Sequence, residues 1–352
     1  MVDLLPSPDF TWDPISNPPK AGLRPKRDGS YRLEPEMHDG RLIVHNYGHA
    51  GAGITMSWGC AIEVAEIISG SGHGPDEEVA VLGGGVMGLT AAAILAERGF
   101  HATIFAKDFP PNTTSNVAGG QWAPASVNHK DKAQFERILT NAFKMHEAKG
   151  STYGVSARLN YATKKLPSFA DVPTTIVPPP TTLRHLPFAK LNSRGFVYST
   201  LLVEPPIFLP KLISDLRQRN VPRLVKAFAT MNDVFSDTVI TQRIIVNCTG
   251  LGARELCNDR KVHPVKGQLV MLPPQPNLDY LFCSPGYLFP RQDAVVVGGT
   301  EENTFEDDKP DIKTCKRVLE LVRRAFEPTT LTRLIPQFVN EFMMPNWFIQ
   351  NK

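Results

Sequence analysis

The chain has 352 residues, of which 42% are hydrophobic, enough to form a large buried core. Its 38 basic and 35 acidic side chains give a formal net charge of +3 without a dense basic block, which argues against a nucleic-acid or membrane-surface role. Five scattered cysteines indicate neither a disulfide framework nor a zinc site. The proline-rich start contains no apolar signal segment, and no run approaches the roughly 18 apolar residues of a membrane span.

The first part of the chain predicts an extended segment, a strand and a helix. Prolines interrupt residues 1–30, which favours an extended course over a surface. Residues 42–47 predict a buried strand, 48–53 a tight loop, and 55–68 a helix with apolar residues at helical spacing. The glycine-rich residues 69–75 predict a linker.

A strand-helix-strand unit follows this linker. Residues 79–83 and 102–106 predict two short strands around a helix of about 13 residues, the arrangement that a dinucleotide-binding glycine motif requires. Gly83 permits a tight turn, Gly85 lets the backbone approach a pyrophosphate, and Gly88 lets the helix pack closely on the sheet. This context favours nucleotide binding over a purely structural turn. The first amides of the helix would face the phosphates at the positive end of the helix dipole.

Helix and strand signals alternate in the rest of the chain, which is typical of an α/β protein. The predicted elements are a helix over 131–149, a Pro- and Thr-rich stretch without clear period over 173–187, a helix over 210–220, strands over 243–247 and 294–298, and a helix over 312–325. No internal repeat is present.

Several strings resemble those of D-amino-acid oxidases. Residues 118–124, Ala-Gly-Gly-Gln-Trp-Ala-Pro, are similar to the Ala-Ala-Gly-Leu-Trp-Gln-Pro segment whose backbone lies along the flavin ring in that family. Residues 245–253, Ile-Val-Asn-Cys-Thr-Gly-Leu-Gly-Ala, match a family signature nearly residue for residue. Residues 265–268, Val-Lys-Gly-Gln, resemble Gly-Arg-Gly-Gln. Together these resemblances span most of the chain and are weakest between about residues 150 and 195.

The order of the strings differs from that of the family. Residues 22–27 and 45–53 match runs that lie at the C-terminal end of D-amino-acid oxidases, yet here they precede the dinucleotide-binding unit. The chain therefore resembles a circularly permuted member, with the old ends joined through residues 69–76 and new ends opened before the strand that carries Arg24. This interpretation predicts that Met1 and Lys352 both lie in the substrate domain.

The resemblance implies an α/β fold with a Rossmann-like FAD-binding domain and a second, mixed-sheet α+β substrate domain, circularly permuted. The predicted domain segments are 1–37 in the substrate domain, 38–150 in the FAD-binding domain with the permutation linker at 69–78, 151–220 in the substrate domain, 221–262 in the FAD-binding domain and 263–352 in the substrate domain.

The resemblance also implies FAD as the cofactor, bound non-covalently, and no metal. The candidate cofactor contacts are Gly83, Gly85, Val86, Met87, Gly88, Lys107, Thr113, Thr114, Ser115, Gly119, Gly120, Gln121, Thr249, Gly250, Ala50, Gly53, Ile54 and Thr55. The hydroxyl cluster at 113–115 could instead be a solvated turn. Gln121 replaces an apolar residue of the family. In the resembling enzymes the helix that begins near Thr55 points at the pyrimidine edge of the flavin, where its dipole stabilises negative charge.

Three residues are the candidate catalytic groups. Arg24 matches the family's carboxylate-binding arginine, and its planar fork can form two parallel hydrogen bonds to a carboxylate. Tyr287 matches the tyrosine that supports the same carboxylate, and Gly51 lies in the loop before the helix. A second family tyrosine, on the lid side, falls near residues 281–282, with Tyr280 adjacent. His45 and His49 are interpreted as structural hydrogen-bonding groups.

The predicted function is that of an FAD-dependent oxidase of the D-amino-acid oxidase type. As the resemblance implies, it would transfer a hydride from the α-carbon of an amino acid, D-configured in that family, to flavin N5, giving an imino or keto acid and hydrogen peroxide. An alternative is a biosynthetic flavin oxidase of a bulkier amine or a carboxylated heterocycle. A nicotinamide-dependent dehydrogenase would share only the glycine motif, and a non-catalytic flavin protein would not need Arg24 and Tyr287.

The expected partners follow from this reading. They are a small-molecule amino acid or amine as substrate and molecular oxygen. No nucleic acid or membrane partner is expected, and a homodimer is one possible oligomeric state. Because the chain ends in Gln-Asn-Lys and not in a peroxisomal tripeptide, the expected location is cytoplasmic.

Overall fold

The structure is a computed structural model that describes residues 4–191, 193–303 and 307–327. Its strands are β1 (Lys20–Arg27), β2 (Arg32–His38), β3 (Arg41–Tyr47), β4 (Glu78–Leu82), β5 (His101–Ala106), β6 (Val155–Ala162), β7 (Thr181–Leu183), β8 (Gly195–Val203), β9 (Arg223–Val225), β10 (Ile244–Asn247), β11 (Val262–Leu272), β12 (Leu281–Cys283), β13 (Tyr287–Pro290) and β14 (Val295–Gly298). Its α-helices are α1 (Gly53–Gly70), α2 (Val86–Glu97), α3 (Lys132–Lys149), α4 (Pro205–Gln218), α5 (Met231–Ser236), α6 (Ala253–Leu256) and α7 (Ile312–Phe326).

One sheet has six strands in the order β2-β3-β10-β4-β5-β9. All neighbours are parallel except β2, which pairs antiparallel with β3 at one edge. Its central strands are buried on both faces, as expected for a parallel sheet covered on both sides. Trp58 of α1, Leu89 of α2 and Ile138 of α3 belong to the large apolar cluster that also contains Val44 and Val81 of this sheet.

The second sheet has eight strands in the order β1-β11-β14-β13-β12-β6-β8-β7. It is antiparallel except where β12 runs parallel to β6. Strand β1 pairs with β11 along its whole length, from the pair Lys20 and Leu269 to the pair Arg27 and Val262. Helix α7 shares an apolar cluster with β11 and β14. These two sheets confirm the predicted α/β fold with a second, mixed-sheet unit.

Most predicted elements lie close to their observed bounds. The helix predicted over 210–220 is longer and begins at Pro205, since proline at the first helical positions loses no hydrogen bond. The predicted linker is wrong for residues 69 and 70, because α1 continues through Gly70. The stretch 173–187 contains β7, and part of the extended start, residues 20–27, is strand β1.

The two chain ends and the membrane-spanning potential of the helices were the remaining expectations from the sequence. Met1 and Lys352, the ends predicted to lie in the substrate domain, are outside the described residues. Within the described ranges, no helix is long and apolar enough to cross a membrane.

Candidate active site

A cleft of about 2020 Å³ is lined by residues from both sheets. The ends of β3, β4, β5 and β10 open into it, because the residues that follow each of these strands line its wall. Ligands of open parallel sheets bind in such a crevice, outside the carboxyl ends of the strands. The antiparallel sheet contributes residues from β1, β11 and β13.

The cleft gathers the residues that the sequence predicts for the site, with one exception. Those on its wall are Arg24, Ala50, Gly51, Gly53, Ile54, Thr55, Gly83, Gly85, Val86, Met87, Lys107, Thr113, Thr114, Ser115, Gly119, Gly120, Gln121, Thr249, Gly250 and Tyr287. Gly88 is absent from the wall. A side chain at Gly88 would overlap the carbonyl oxygen of Gly83, so this glycine allows α2 to pack on the turn after β4.

The glycine motif forms a tight turn between β4 and α2. Gly83 adopts φ of +121°, a conformation that favours glycine, and donates a hydrogen bond to the carbonyl of Phe105 at 2.8 Å. Helix α2 then begins at Val86, whose amide donates to the Ser115 hydroxyl at 3.0 Å. The loop after β5 is thereby tied to the positive end of the α2 dipole, where an anionic phosphate is favoured.

The hydroxyls of the loop after β5 are only partly engaged within the protein. Thr113 donates from its hydroxyl to the Asn116 side-chain oxygen at 2.8 Å and forms a capping box there. A capped turn of this kind is the structural role that the sequence offered as the alternative to cofactor binding for the hydroxyl cluster at 113–115. Thr114 and Lys107 line the cleft beside it, so the loop also presents polar groups to a bound anion.

The end of β10 meets the glycine turn in space. A side chain at Gly83 would overlap the carbonyl oxygen of Cys248, which places the two sequence motifs in direct contact. The Thr249 hydroxyl donates to the side-chain oxygen of Asn247 at 2.7 Å, which orders the turn. The motif at 245–253 therefore borders the same end of the cleft as the glycine motif.

The start of α1 is held against the segment 118–124. The Thr55 hydroxyl donates to the carbonyl of Ala123 at 2.9 Å and accepts from its amide at 3.1 Å. In the same segment, Gln121 accepts from the Cys283 thiol at 3.5 Å, whereas its Nε2 is buried without a hydrogen-bond partner. A side chain at Gly119 would lie 3.0 Å from the Phe289 ring, so this backbone runs close to β13.

Arg24 and Tyr287 lie together on the cleft wall. Arg24 donates from Nη1 to the carbonyl of Thr300 at 3.0 Å, which orients the guanidinium and leaves most of its donors for a ligand. A side chain at Gly267 would overlap that guanidinium, and one at Gly51 would lie 3.6 Å from the Arg24 Cδ. The three predicted catalytic residues are thus neighbours, although they come from three separate segments.

The phenol of Tyr287 is suited to donate a hydrogen bond. Its ring stacks on Phe289 with centroids 4.4 Å apart and planes 7° from parallel. Burial raises the pKa of Tyr287, and the neighbouring Arg24 guanidinium only partly opposes this shift. The phenol therefore stays protonated at neutral pH.

His45 and His49 are buried and neutral. Burial lowers the pKa of His49 to about 3, and its Nε2 lies 3.5 Å from the Cys60 thiol. The pKa of His45 is also lowered, chiefly by burial, and its ring lies 3.0 Å from a Glu36 carboxylate oxygen. Both contacts agree with the structural role expected from the sequence.

Some residues at the site had no recognisable signal in the sequence. Thr300 contributes a main-chain carbonyl, which any residue type could supply. Lys164 and Lys165 line the cleft from a segment in which the resemblance is weakest. Tyr280, beside the position expected for the family's lid tyrosine, is buried and donates from its phenol to the carbonyl of Pro6 at 2.7 Å, so it does not line the cleft.

Comparison with known proteins shows which family this chain resembles. The model of the family DAO, described as FAD dependent oxidoreductase, matches residues 78–343. The D-amino-acid oxidase of Streptomyces coelicolor is 30% identical over 257 residues, 67% of this chain and 73% of that protein. The D-aspartate oxidase of Homo sapiens is 26% identical over 264 residues, 68% of this chain and 73% of that protein.

A solved structure shares the fold. The L-amino acid deaminase of Proteus vulgaris, in a form that lacks its specific insertion sequence, aligns with a TM-score of 0.50 at 15% identity, over 72% of this chain and 75% of that chain. At this identity the likeness concerns the fold alone.

Proposed function

Because this chain belongs to the DAO family of FAD-dependent oxidoreductases, we propose that it is an FAD-dependent oxidase of D-amino acids. The observation that carries the proposal is the position of Arg24 and Tyr287 in the same cleft as the dinucleotide-binding turn. A guanidinium and a protonated phenol form a carboxylate-binding pair, and that pair has a purpose only if an amino or imino acid enters the cleft. The substrate configuration follows the family resemblance.

The residues of the cleft fit FAD. The turn at Gly83 and Gly85, the start of α2 and the hydroxyls at 113–115 would hold the pyrophosphate and adenylate, because they combine exposed polar groups with the positive end of a helix. Segment 118–121 would lie along the flavin ring, and the start of α1, at Gly53 and Thr55, would face its pyrimidine edge. Bound FAD would supply a two-electron oxidation: it would accept the α-hydrogen with its electron pair while the amine loses a proton, and oxygen would take up the two electrons and two protons as hydrogen peroxide.

The protein itself contributes orientation and electrostatics. Arg24 would bind the substrate carboxylate through two parallel hydrogen bonds, and Tyr287 would donate a third, so the α-carbon is held in one orientation. The positive end of α1, which begins beside Gly51, would favour negative charge that develops in the cleft during oxidation. The imino acid formed would leave and hydrolyse to the keto acid. This division of labour requires no acid or base from the protein.

The sheets suggest how the domains divide. In this proposal the unit of the six-stranded sheet binds FAD and the unit of the eight-stranded sheet binds the substrate. The predicted boundary at residue 37 then moves to the turn between β1 and β2, because β2 pairs with β3 in the six-stranded sheet. Strands β1 and β3 precede the match that begins at residue 78, yet each pairs with a strand inside it. This supports a circular permutation. A variant with residues 1–76 moved behind residue 352 should fold and show the same flavin spectrum.

The decisive experiment is a visible spectrum of the protein reconstituted with FAD, before and after anaerobic addition of individual D-amino acids. Flavin bands that bleach with D-amino acids would support the proposal, and hydrogen peroxide should form when air is admitted. Absence of the bands after reconstitution would contradict flavin binding. Bands that bleach only with L-amino acids would overturn the proposed configuration.

A second candidate function is oxidation of a bulkier amine or a carboxylated heterocycle. It is favoured by one observation: Tyr280 and the following residues Leu281 and Phe282 are buried and do not line the cleft, so none of these three residues covers the site as a lid tyrosine would. Bleaching by larger amines, with all common D-amino acids inert, would identify this function.

A further inference from the structure

The loop after β6 carries two adjacent lysines, Lys164 and Lys165, at the rim of the cleft. Strand β6 pairs with β12 so that its last residue, Ala162, lies opposite Cys283. The next residue, Thr163, donates from its hydroxyl to the carbonyl of Ser284 at 2.6 Å. The lysines therefore follow directly on a contact with the short turn that leads into Tyr287.

The loop is also anchored behind the two lysines. The amide of Leu166 donates to the Tyr198 phenol at 2.8 Å. The Leu166 side chain packs on the same apolar cluster as Tyr287, a cluster that contains Phe289. With anchors at Thr163 and Leu166, the stretch between them is confined to the end of the cleft that contains Arg24 and Tyr287.

The charge at this rim is positive. Both lysines are exposed, and within the described part of the chain neither forms an ion pair or a hydrogen bond. Asp171 of the same loop also lines the cleft and offsets one of the two charges. The Glu301 carboxylate also lines the cleft, where the Ser126 hydroxyl donates a hydrogen bond to it. The side-chain end of a substrate would thus meet a net positive loop.

We propose that Lys164 and Lys165 make this site prefer amino acids with an acidic side chain, a preference that rests on the proposed oxidase function. Arg24 serves the α-carboxylate common to all substrates, whereas the two lysines act on a second carboxylate. Because the lysines are solvent-exposed, each should strengthen binding of a side-chain carboxylate by roughly twofold when its ammonium group lies about 10 Å from that carboxylate in water. Direct contact with the side-chain carboxylate would increase this factor, and salt would reduce it at separations beyond the Debye length, which is about 8 Å at physiological ionic strength.

The test compares two substrates of nearly equal shape, D-glutamate and D-glutamine. At low ionic strength, the ratio of their kcat/KM values should favour D-glutamate by about twofold, from the net single charge at about 10 Å, to about tenfold if the lysines contact the carboxylate. The ratio should fall toward one in about 0.5 M salt, a concentration of about three times physiological. The double variant Lys164→Gln/Lys165→Gln should lose the preference. Asp171→Asn should raise it by about twofold, since it removes the opposing charge. Lys190→Gln, an exposed lysine paired with Glu327 outside the cleft, is the matched control and should leave the ratio unchanged.

Binding without turnover gives an independent readout. Glutarate should raise the melting temperature of the FAD-loaded protein more than its monoamide, glutaramate, and the double lysine variant should abolish the difference. Equal oxidation of the two amino acids, with a ratio that neither the lysine nor the Asp171 variant moves, would overturn the preference while the oxidase function stands. If no amino acid, D-alanine included, bleaches the flavin, the proposed oxidase function is overturned instead. In that case, equal binding of glutarate and glutaramate would overturn the preference as well.

Discussion

Arg24 donates a hydrogen bond of 3.0 Å to the main-chain carbonyl of Thr300, 276 positions further along the chain. The bond joins β1 to the residues that follow β14, and both of these strands flank β11 in the sheet. It fixes one edge of the guanidinium, so the remaining donors are oriented before a ligand arrives. A preoriented fork loses less conformational freedom on binding a carboxylate than a free side chain does.

Replacement of this arginine tests the carboxylate site. Arg24→Lys should lower kcat/KM for D-amino acids by about 10- to 100-fold, because lysine keeps the charge but cannot form two parallel hydrogen bonds. The flavin spectrum should persist, since Arg24 lies at the substrate end of the cleft. Steady-state kinetics would measure the loss, with Arg317→Lys on the exposed side of α7 as the control. A wild-type kcat/KM in Arg24→Lys would remove Arg24 from the site.

Tyr287→Phe should raise KM by about 3- to 10-fold with little change in stability, because the ring still stacks on Phe289 while one hydrogen bond to the substrate is lost. Burial raises the pKa of this phenol, so it stays protonated up to at least its ordinary value of about 10. The ratio of wild-type to variant kcat/KM should therefore be constant from pH 7 to about 10. A ratio that falls to one within this range would show that the phenol ionises there.

Two glycines of the nucleotide motif should respond differently to alanine. A side chain at Gly88 would overlap the Gly83 carbonyl, so Gly88→Ala should lower the free energy of unfolding by about 3 kcal/mol. A side chain at Gly85 would lie an ordinary 3.4 Å from the Ser115 hydroxyl. Gly85→Ala should therefore fold but bind FAD at least about tenfold more weakly, because the methyl group occupies the approach to the pyrophosphate.

Urea unfolding of the apoprotein and titration with FAD would separate these two effects. The assignment of Gly88 to packing would be wrong if Gly88→Ala unfolded like the wild type. Unchanged FAD affinity in Gly85→Ala would argue that the pyrophosphate does not approach this turn.

A buried histidine should make stability depend on pH. Burial lowers the pKa of His146 to about 4, and its ring lies 2.9 Å from the carbonyl of Ile54 at the start of α1. Above the unfolded-state pKa of about 6.5 both states are neutral, whereas below it only the unfolded chain takes up the proton. From about pH 6.5 to 4, this residue should cost about 1.4 kcal/mol of stability for each pH unit.

Urea unfolding at pH 7 and pH 5 measures this dependence. His146→Gln should show a smaller fall in stability between the two values than the wild type does. His101→Gln, whose native side chain is 67% exposed, is the control and should fall like the wild type. Equal slopes in all three proteins would mean that His146 is protonated in the folded state.

Local signals in the sequence were sufficient for the elements that carry the cofactor motif. The turn at Gly83, helix α2 and the helix after Asp131 are specified by spacing and capping within a few residues; the Asp131 side chain, for example, accepts from the amide of Gln134 at 3.0 Å. All but one of the residues that the motif strings predict lie on the cleft wall. The glycine motif, the loop after β5 and the motif at 245–253 meet there because each comes at the end of a parallel strand, and parallel strands end at one edge of a sheet.

Which of these segments become neighbours depends on long-range packing. The contacts of Arg24 with Thr300, of Gly83 with Cys248 and of the Lys164 loop with the turn before Tyr287 join residues that are distant in sequence. Gly88 was assigned to the cofactor by its motif, and the packing of α2 places it off the cleft wall. Periodicity reports which face of an element is apolar, but the partner that covers this face is selected by the packing of the whole chain. For this reason the chemical groups available to the site follow from the sequence motifs, whereas their arrangement in space follows from the packing of the fold.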